Sequence, residues 1–209
     1  MEELLRLAEK IKDEELKKKV VEILKNPKLS HPEFKRYPKE EIENVKTPFT
    51  IAGQGTVERT DLVRHIVSVT EICMEIAENL EKNYGIPINT DYLIAGALLH
   101  DIMKVFEWRV DGGEIKHSGI MLDHSMLAVA ELYHRGFPEG VIHIIASHFG
   151  ETGPTPPRNF EALILHHVDS LVSMVEFHLS SPKEQPVQLL LLDEDMIKRL
   201  TGEKTEEKS

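Results

Sequence analysis

The sequence has one cysteine among 209 residues and no excess of positive charge. Cys73 has no partner for an intrachain disulfide, and its apolar neighbours predict a buried thiol in a reducing compartment. Lysine and arginine number 25 against 36 aspartate and glutamate residues, which gives a net charge of -11. A polynucleotide partner is therefore disfavoured, and a phosphate ligand would be held by a metal or by a few local cations.

Long apolar runs are also missing. No stretch approaches the roughly 20 residues that span a membrane, and the first residues do not place a basic segment before an apolar one. These absences predict a soluble cytoplasmic protein with no membrane partner. With 41% hydrophobic residues, the chain can bury one substantial core, so a single globular domain is expected. The oligomeric state stays open, with a homo-oligomer among the alternatives.

Helical periodicity is present along most of the chain. Apolar residues recur at three- and four-residue steps between residues 4 and 24, which predicts two amphipathic helices or one bent helix. Residues 30–54 contain three prolines and little periodicity, so we expect a long ordered cover loop there. Further helices are predicted around residues 60–84, 90–104, 121–135, 138–148 and 159–179.

The pattern changes between Phe106 and His117, where alternating residues flank Asp111-Gly112-Gly113 and predict a short β-hairpin. The predicted fold class is therefore an all-α helical bundle with one small hairpin. Three parts are expected: a helical segment and cover loop at 1–59, packed on the same domain; a catalytic core at 60–180; and a C-terminal extension at 181–209. In this extension, residues 189–200 are predicted to form a strand and a short helix before a frayed tail.

His100 and Asp101 directly follow the apolar run of residues 92–99. An adjacent His-Asp pair carries little weight by itself in a chain with eleven histidines. Burying a histidine beside an ionised carboxylate is costly, however, unless a cation compensates, and a divalent metal does so. Histidine and carboxylate ligands together suit Fe, Mn, Co, Ni or Zn.

Four further side chains of metal-binding type lie in segments that are predicted to be helical: His65, His124, His148 and Asp169. Each has an ordinary alternative. His65 could be a hydrogen-bonded core histidine, and His124 and His148 could be capping or surface residues. Asp169 lies in an apolar segment, where an unpaired carboxylate is hardest to bury. Taken together and in this order, the residues predict a metal site.

This order of residues resembles the metal-binding signature of the HD-domain phosphohydrolase superfamily over roughly residues 60–179. The four positions of the core signature are matched by His65, His100, Asp101 and Asp169, and the two additional histidines of binuclear members by His124 and His148. The resemblance implies one or two divalent ions per chain, with Asp101 as the bridge between them. Fe(II) or Mn(II) is expected first, and Zn, Co or Ni are the alternatives.

The resemblance also implies that a hydroxide shared by two ions attacks phosphorus in line. Asp101 and Lys104 are the predicted catalytic residues. Lys104 lies on the same helical face as Asp101 if the helix continues, where it could neutralise a phosphate oxygen; otherwise it is a solvated lysine at a helix end. Residues expected to contact the ligands or the substrate, with packing or exposure as the alternative for each, are His166, His117, Trp108 and Phe149.

Segments 95–104, 147–150 and 165–169 further resemble two narrower groups. One comprises archaeal Fe(II)-dependent phosphodiesterases of pterin biosynthesis, which act on 7,8-dihydroneopterin 2′,3′-cyclic phosphate. The other is the catalytic domain of bacterial 3′-5′ exoribonucleases, which carry an upstream single-strand-binding module that the first sixty residues here do not resemble. We therefore predict a metal-dependent phosphodiesterase acting on a small cyclic phosphate, with the pterin compound as the leading candidate. The alternatives are a nuclease or nucleotide phosphohydrolase, and a metal-stabilised nucleotide-binding module without turnover.

Overall fold

The computed structural model describes residues 1–51 and 55–180. Its helices and strands are α1 (Glu2–Ala8), α2 (Glu14–Lys25), β1 (Thr47–Ile51), β2 (Gly55–Arg59), α3 (Leu62–Tyr84), α4 (Thr90–Leu99), α5 (Lys104–Glu107), β3 (Trp108–Asp111), β4 (Glu114–His117), α6 (His124–His134), α7 (Glu139–Ala146) and α8 (Phe160–Ser180). Short 3-10 turns cover Pro32–Arg36, Ile42–Asn44 and Gly150–Thr152. The predicted fold class, a helical bundle with a small hairpin, is confirmed.

Local capping explains where the helices that carry the site begin. The side chain of Asp61 accepts a hydrogen bond from the backbone N–H of Arg64 at the start of α3, and the left-handed Gly85 ends that helix. Asn89 caps α4 in the same way, one residue before the predicted start. Asp123 caps α6. The first residue of α6, His124, is thereby fixed in place.

Helix α4 forms the centre of the bundle. Residues 93–99 are all buried, and the helix packs against α2, α3, α7 and α8. A helix that is apolar on every side is stable only when other elements surround it completely. Gly96 permits the close approach of α7, because a side chain at this position would collide with Ile144. The residues that directly follow α4 are consequently held in the interior of the protein.

The N-terminal segment packs on this same core. Apolar side chains of α1 and α2, such as Leu7 and Leu24, belong to one buried cluster with residues of α4 and α6. The buried carboxylate of Glu131 on α6 accepts hydrogen bonds from the backbone N–H and the hydroxyl of Ser30, and from Arg135. Residues 2–8 and 14–25 form two separate helices, as one of the two predicted alternatives required.

The described part of the chain contains two antiparallel strand pairs rather than the one hairpin predicted. The predicted hairpin is confirmed as β3–β4, with Gly112 and Gly113 at the turn in positive-φ conformations. Residues 30–54 are not simply a loop, because β1 pairs antiparallel with β2 and Thr47 lies opposite Arg59. The prolines predict a loop, but Pro48 lies within a two-stranded sheet, where proline is tolerated.

No helix within residues 1–51 and 55–180 is both long and apolar enough to cross a bilayer. The strand and short helix predicted over residues 189–200 lie outside the described residues, as does all of 181–209.

Candidate metal centre

The structure brings the six predicted ligand side chains together beside the C-terminal end of α4. Four helical elements contribute to this cluster in addition to the two residues that follow α4. The six residues are His65 on α3, His100 and Asp101 after α4, His124 at the start of α6, His148 after α7, and Asp169 on α8. All are buried except Asp169, whose side chain is 18% exposed.

The four histidines share one arrangement, in which Nδ1 is already engaged. The partner is a carboxylate in two cases and a backbone carbonyl in the other two. The contacts are His65 Nδ1 to Glu176 Oε2 at 3.1 Å, His124 Nδ1 to Glu107 Oε2 at 2.7 Å, His100 Nδ1 to Ala97 O at 2.8 Å, and His148 Nδ1 to Ile145 O at 2.7 Å. Donation from Nδ1 leaves the lone pair on Nε2, which is the usual state of a metal-binding histidine.

All four Nε2 atoms are buried, and none forms a hydrogen bond with any described residue. Two of them lie close to carboxylates: His65 Nε2 is 3.1 Å from Asp169 Oδ1, and His124 Nε2 is 3.2 Å from Asp101 Oδ1. Four unsatisfied buried nitrogens would be costly if nothing compensated them. Since unpaired imidazole nitrogens and carboxylate oxygens are grouped together here, the donor set fits divalent cations.

The donor atoms divide into two groups that share Asp101. One group comprises His65, His100 and Asp101, and the other comprises Asp101, His124 and His148, with the donor atoms of each within 4.8 Å of one another. The two oxygens of Asp101 face opposite groups: Oδ2 lies 3.5 Å from His65 Nε2, whereas Oδ1 lies 3.2 Å from His124 Nε2. This is the arrangement expected of a carboxylate that bridges two ions.

The electrostatics of the cluster favour ionised carboxylates. Burial acts to raise the pKa of Asp101, but Lys104, His100 and His124 hold that pKa well below its usual range. Burial also opposes the charge of Asp169, whose pKa is nevertheless lowered by His65 and His100. Deprotonated carboxylates are the form that binds metal.

The pKa values of the histidines shift in different directions, depending on their surroundings. Burial, with help from His100 and His124, lowers the pKa of His148 to about 4, which keeps its imidazole neutral. Burial lowers the pKa of His65 and His124 as well, but the neighbouring carboxylates outweigh it and raise both. Asp169 and Asp101, which help to raise these two pKa values, are also members of the donor set.

Lys104 lies directly beside the shared carboxylate, with Nζ 2.6 Å from Asp101 Oδ2. The expected continuation of the helix is wrong, because α4 ends at Leu99 and Lys104 begins the separate helix α5. The alternative of a solvated lysine at a helix end is also wrong, since the side chain is only 13% exposed. The turn between the two helices brings the ammonium group to the site.

A cavity of about 550 Å³ opens beside Asp101 and is lined by three of the four predicted contact residues. Trp108 and Phe149 form aromatic walls, and the Phe149 ring lies 4.2 Å from that of His148. His166 lines the cavity and donates from Nδ1 to the backbone oxygen of His148. His117 does not line it; this residue is 41% exposed and packs edge-on against Trp108.

Three residues of this centre were not predicted. Glu107 and Glu176 hold His124 and His65 through their Nδ1 atoms. Arg59 on β2 lies beside Glu176 and Asp101. No local sequence signal distinguishes these two glutamates from other acidic residues. Arg59 ends β2, which was missed because its partner strand β1 contains Pro48.

The family model for the HD domain matches residues 62–174, which is more than half of the chain. Together with the buried His-Asp cluster, this match defines the class of protein: a metal-dependent phosphohydrolase. The chain belongs to the HD domain family.

Among curated proteins, the chain is similar to the dihydroneopterin 2′,3′-cyclic phosphate phosphodiesterase of Methanocaldococcus jannaschii. The two are 48% identical over 177 residues, which is 84% of this chain and 70% of that protein. The 3′-5′ exoribonuclease YhaM of Oceanobacillus iheyensis is 33% identical over 52% of this chain, and that of Bacillus subtilis 32% over 53%. These matches cover only 36% and 37% of the exoribonucleases. No solved structure matches significantly.

Proposed function

We propose that this protein is a phosphodiesterase that opens a small cyclic phosphate, and that 7,8-dihydroneopterin 2′,3′-cyclic phosphate is its substrate. The observation that carries the chemistry is the position of Asp101, whose two oxygens face two separate groups of histidines. The named activity of the Methanocaldococcus jannaschii relative, 48% identical over most of this chain, supports the choice of substrate.

In this proposal one ion is held by His65, His100, Asp101 and Asp169, and a second by Asp101, His124 and His148. Fe(II) or Mn(II) is the metal expected first, with Zn, Co or Ni as alternatives, since imidazole and carboxylate donors without a thiolate suit all of these ions. Divalent ions bound there would acidify a water molecule and neutralise phosphoryl oxygens.

The chain itself contributes positioning and charge. Glu107 and Glu176 fix the orientation of two histidine rings, so that their Nε2 atoms face the centre. Lys104 adds a positive charge next to Asp101, where it can contact a phosphate oxygen or the charge that develops in the transition state. The five-membered ring of a cyclic phosphate is strained, so its opening does not require a dedicated acid for the leaving group.

The cavity supports a small substrate. Its volume of about 550 Å³ lies within the range of roughly 300–1,000 Å³ that is usual for small-molecule sites. Trp108 and Phe149 offer flat surfaces against which a pterin ring could stack. A net charge of -11 is unfavourable for binding a long polynucleotide.

The test is hydrolysis of 2′,3′-cyclic phosphates, linear diesters, oligonucleotides and phosphomonoesters by metal-free protein reloaded anaerobically with Fe(II), Mn(II) or Zn(II). Turnover confined to cyclic phosphates, and fastest with the pterin compound, is the expected result. Turnover that survives Asp101→Asn, or that is confined to oligonucleotides, would refute the proposal. Asp111→Asn is the matched control, because this aspartate lies exposed on the β3–β4 hairpin. Metal and ligand binding without turnover would favour a binding module instead.

A further inference from the structure

We propose that Arg59 is a second phosphate-binding cation of this centre, acting together with Lys104; the inference rests on the proposed phosphodiesterase function. Arg59 ends strand β2, which belongs to the hairpin that the sequence did not predict. Its side chain is only 7% exposed, and it lines the same cavity as Asp101. A buried arginine at the wall of an anionic substrate site requires an explanation.

The hydrogen-bond donors of this guanidinium are only partly used. Nη2 donates to Ser173 Oγ at 2.8 Å, and Nε lies 2.8 Å from Glu176 Oε2 in an ion pair that does not meet hydrogen-bond geometry. Among the described residues, Nη1 has no acceptor at hydrogen-bond distance, and its ion-pair contact is Asp101 Oδ2 at 3.7 Å. Nη1 is not among the buried atoms without a partner, so it is open to the cavity, where a ligand oxygen can accept its N–H donors.

A phosphate oxygen is the acceptor that fits best. Guanidinium groups bind phosphate through paired N–H donors, more specifically than an ammonium group does. Arg59 Nη1 and Lys104 Nζ lie 3.7 Å and 2.6 Å from the same oxygen of Asp101, so one phosphate beside Asp101 can contact both cations.

The guanidinium is also held in place before any ligand binds. Its Cζ lies 5.0 Å from the centre of the Phe49 ring, which is the geometry of a cation–π contact. Phe49 is on β1, and Ser173 on α8 fixes the opposite side of the group. A cation that is already ordered loses little entropy when it binds phosphate.

Two cations suit the charge change of the proposed reaction. A water oxygen forms a new bond to phosphorus, one ring P–O bond breaks, and the departing oxygen takes a proton to become a hydroxyl group. The phosphate is a diester with one negative charge before the step; the product monoester loses a second proton with a pKa near 6 and so approaches two negative charges at neutral pH. Arg59 therefore favours the monoester over the diester.

Arg59 could instead act only by holding Glu176, which holds His65. Calorimetric titration of Mn(II)-loaded protein with inorganic phosphate separates the two roles, because metal content is measured on the same samples. The variants are Arg59→Gln and Arg59→Lys. Arg64→Gln is the matched control, since this arginine near the start of α3 is 67% exposed and its loss removes the same charge.

We expect phosphate affinity to fall at least tenfold in Arg59→Gln and a few-fold in Arg59→Lys, with Mn(II) content unchanged and Arg64→Gln within twofold of wild type. Unchanged affinity in Arg59→Gln, loss that follows loss of metal, or no phosphate binding by the wild type would overturn the inference. If Arg59→Gln does not fold, Arg59→Lys alone decides, because a purely structural role predicts unaltered phosphate affinity at full metal content. Arg59-dependent phosphate binding in a protein that fails to hydrolyse cyclic phosphates would refute the proposed substrate and leave this inference standing.

Discussion

If the proposed two-ion centre is correct, replacement of Glu107 by glutamine is expected to weaken one of its two ion-binding steps and to leave the other nearly unchanged. The Glu107 carboxylate accepts hydrogen bonds from His124 Nδ1 at 2.7 Å and from the backbone N–H of His124 at 3.3 Å. Glutamine keeps the size of the side chain and one acceptor oxygen but removes the negative charge. The imidazole of His124 would then be a weaker base and less firmly oriented.

The magnitude follows from the surroundings of the two supporting glutamates. Loss of such a partner typically costs 10–100-fold in metal affinity, or roughly 1.4–2.7 kcal/mol. Among the described residues, the Glu107 side chain has hydrogen bonds with His124 only, and His117 Nε2 lies farther away at 4.0 Å. The upper part of this range is therefore expected. Glu176 lies farther from His65, at 3.1 Å, and shares its charge with Arg59 at 2.8 Å. Glu176→Gln should therefore weaken the other step by only about tenfold.

The assay is calorimetric titration of metal-free protein with Mn(II), analysed as two binding steps. Glu131→Gln is the matched control, because Glu131 is at least as buried as these glutamates but bonds to Ser30 and Arg135. The reasoning would be refuted if both site variants weakened the same step, if neither weakened any step, or if the control weakened metal binding to the same degree.

Three further predictions concern the stability of the fold. With free metal at about 100 times its dissociation constant, removal of the metal should lower the free energy of unfolding by about 2.7 kcal/mol. The thermal midpoint should fall by roughly 5–10 °C; an unchanged midpoint in scanning calorimetry would contradict a metal site. Gly96→Ala should destabilise the fold by about 1–3 kcal/mol in urea denaturation, because its methyl group would collide with Cγ2 of Ile144; a smaller cost in an Ile144→Ala background, where Cγ2 is absent, would confirm the cause. Hydrogen bonds from Ser30 and Arg135 outweigh burial and lower the pKa of Glu131. The ionised Glu131 carboxylate should contribute fully to the free energy of unfolding above about pH 4.3, the ordinary glutamate pKa. This contribution should be lost as the pH falls toward the lower pKa of the folded state, so urea denaturation should show that wild type and Glu131→Gln converge in stability at acid pH.

The six candidate ligands could be chosen from the sequence because each is a metal-type side chain in an apolar helical context. Hydrophobic periodicity located the helices, and the cost of burying Asp101 and Asp169 without a cation identified the cluster. Hydrophobic periodicity does not show, however, at which residue a helix ends and a turn begins. For that reason the break after Leu99, which brings Lys104 to Asp101, was not anticipated.

The supporting residues could not be chosen in this way. Glu107 lies 17 residues from His124, and Glu176 lies 111 residues from His65. Nothing local separates them from the other acidic residues of a chain that has 36. Only the packing of α3 against α8 brings Glu176 to its histidine. Arg59 was missed with the β1–β2 hairpin, whose proline obscured its alternating pattern.

The candidate ligands and the wall of the cavity come from different structural elements. All six candidate ligands lie on helices or directly beside them, whereas much of the cavity wall comes from Phe49 on β1, Trp108 on β3 and Phe149 beside the turn. The wall can therefore be remodelled in shape and polarity without disturbing the ligand atoms. Substitutions confined to the hairpins could therefore change which phosphorylated compound fits the cavity, while the six candidate ligands stay unchanged.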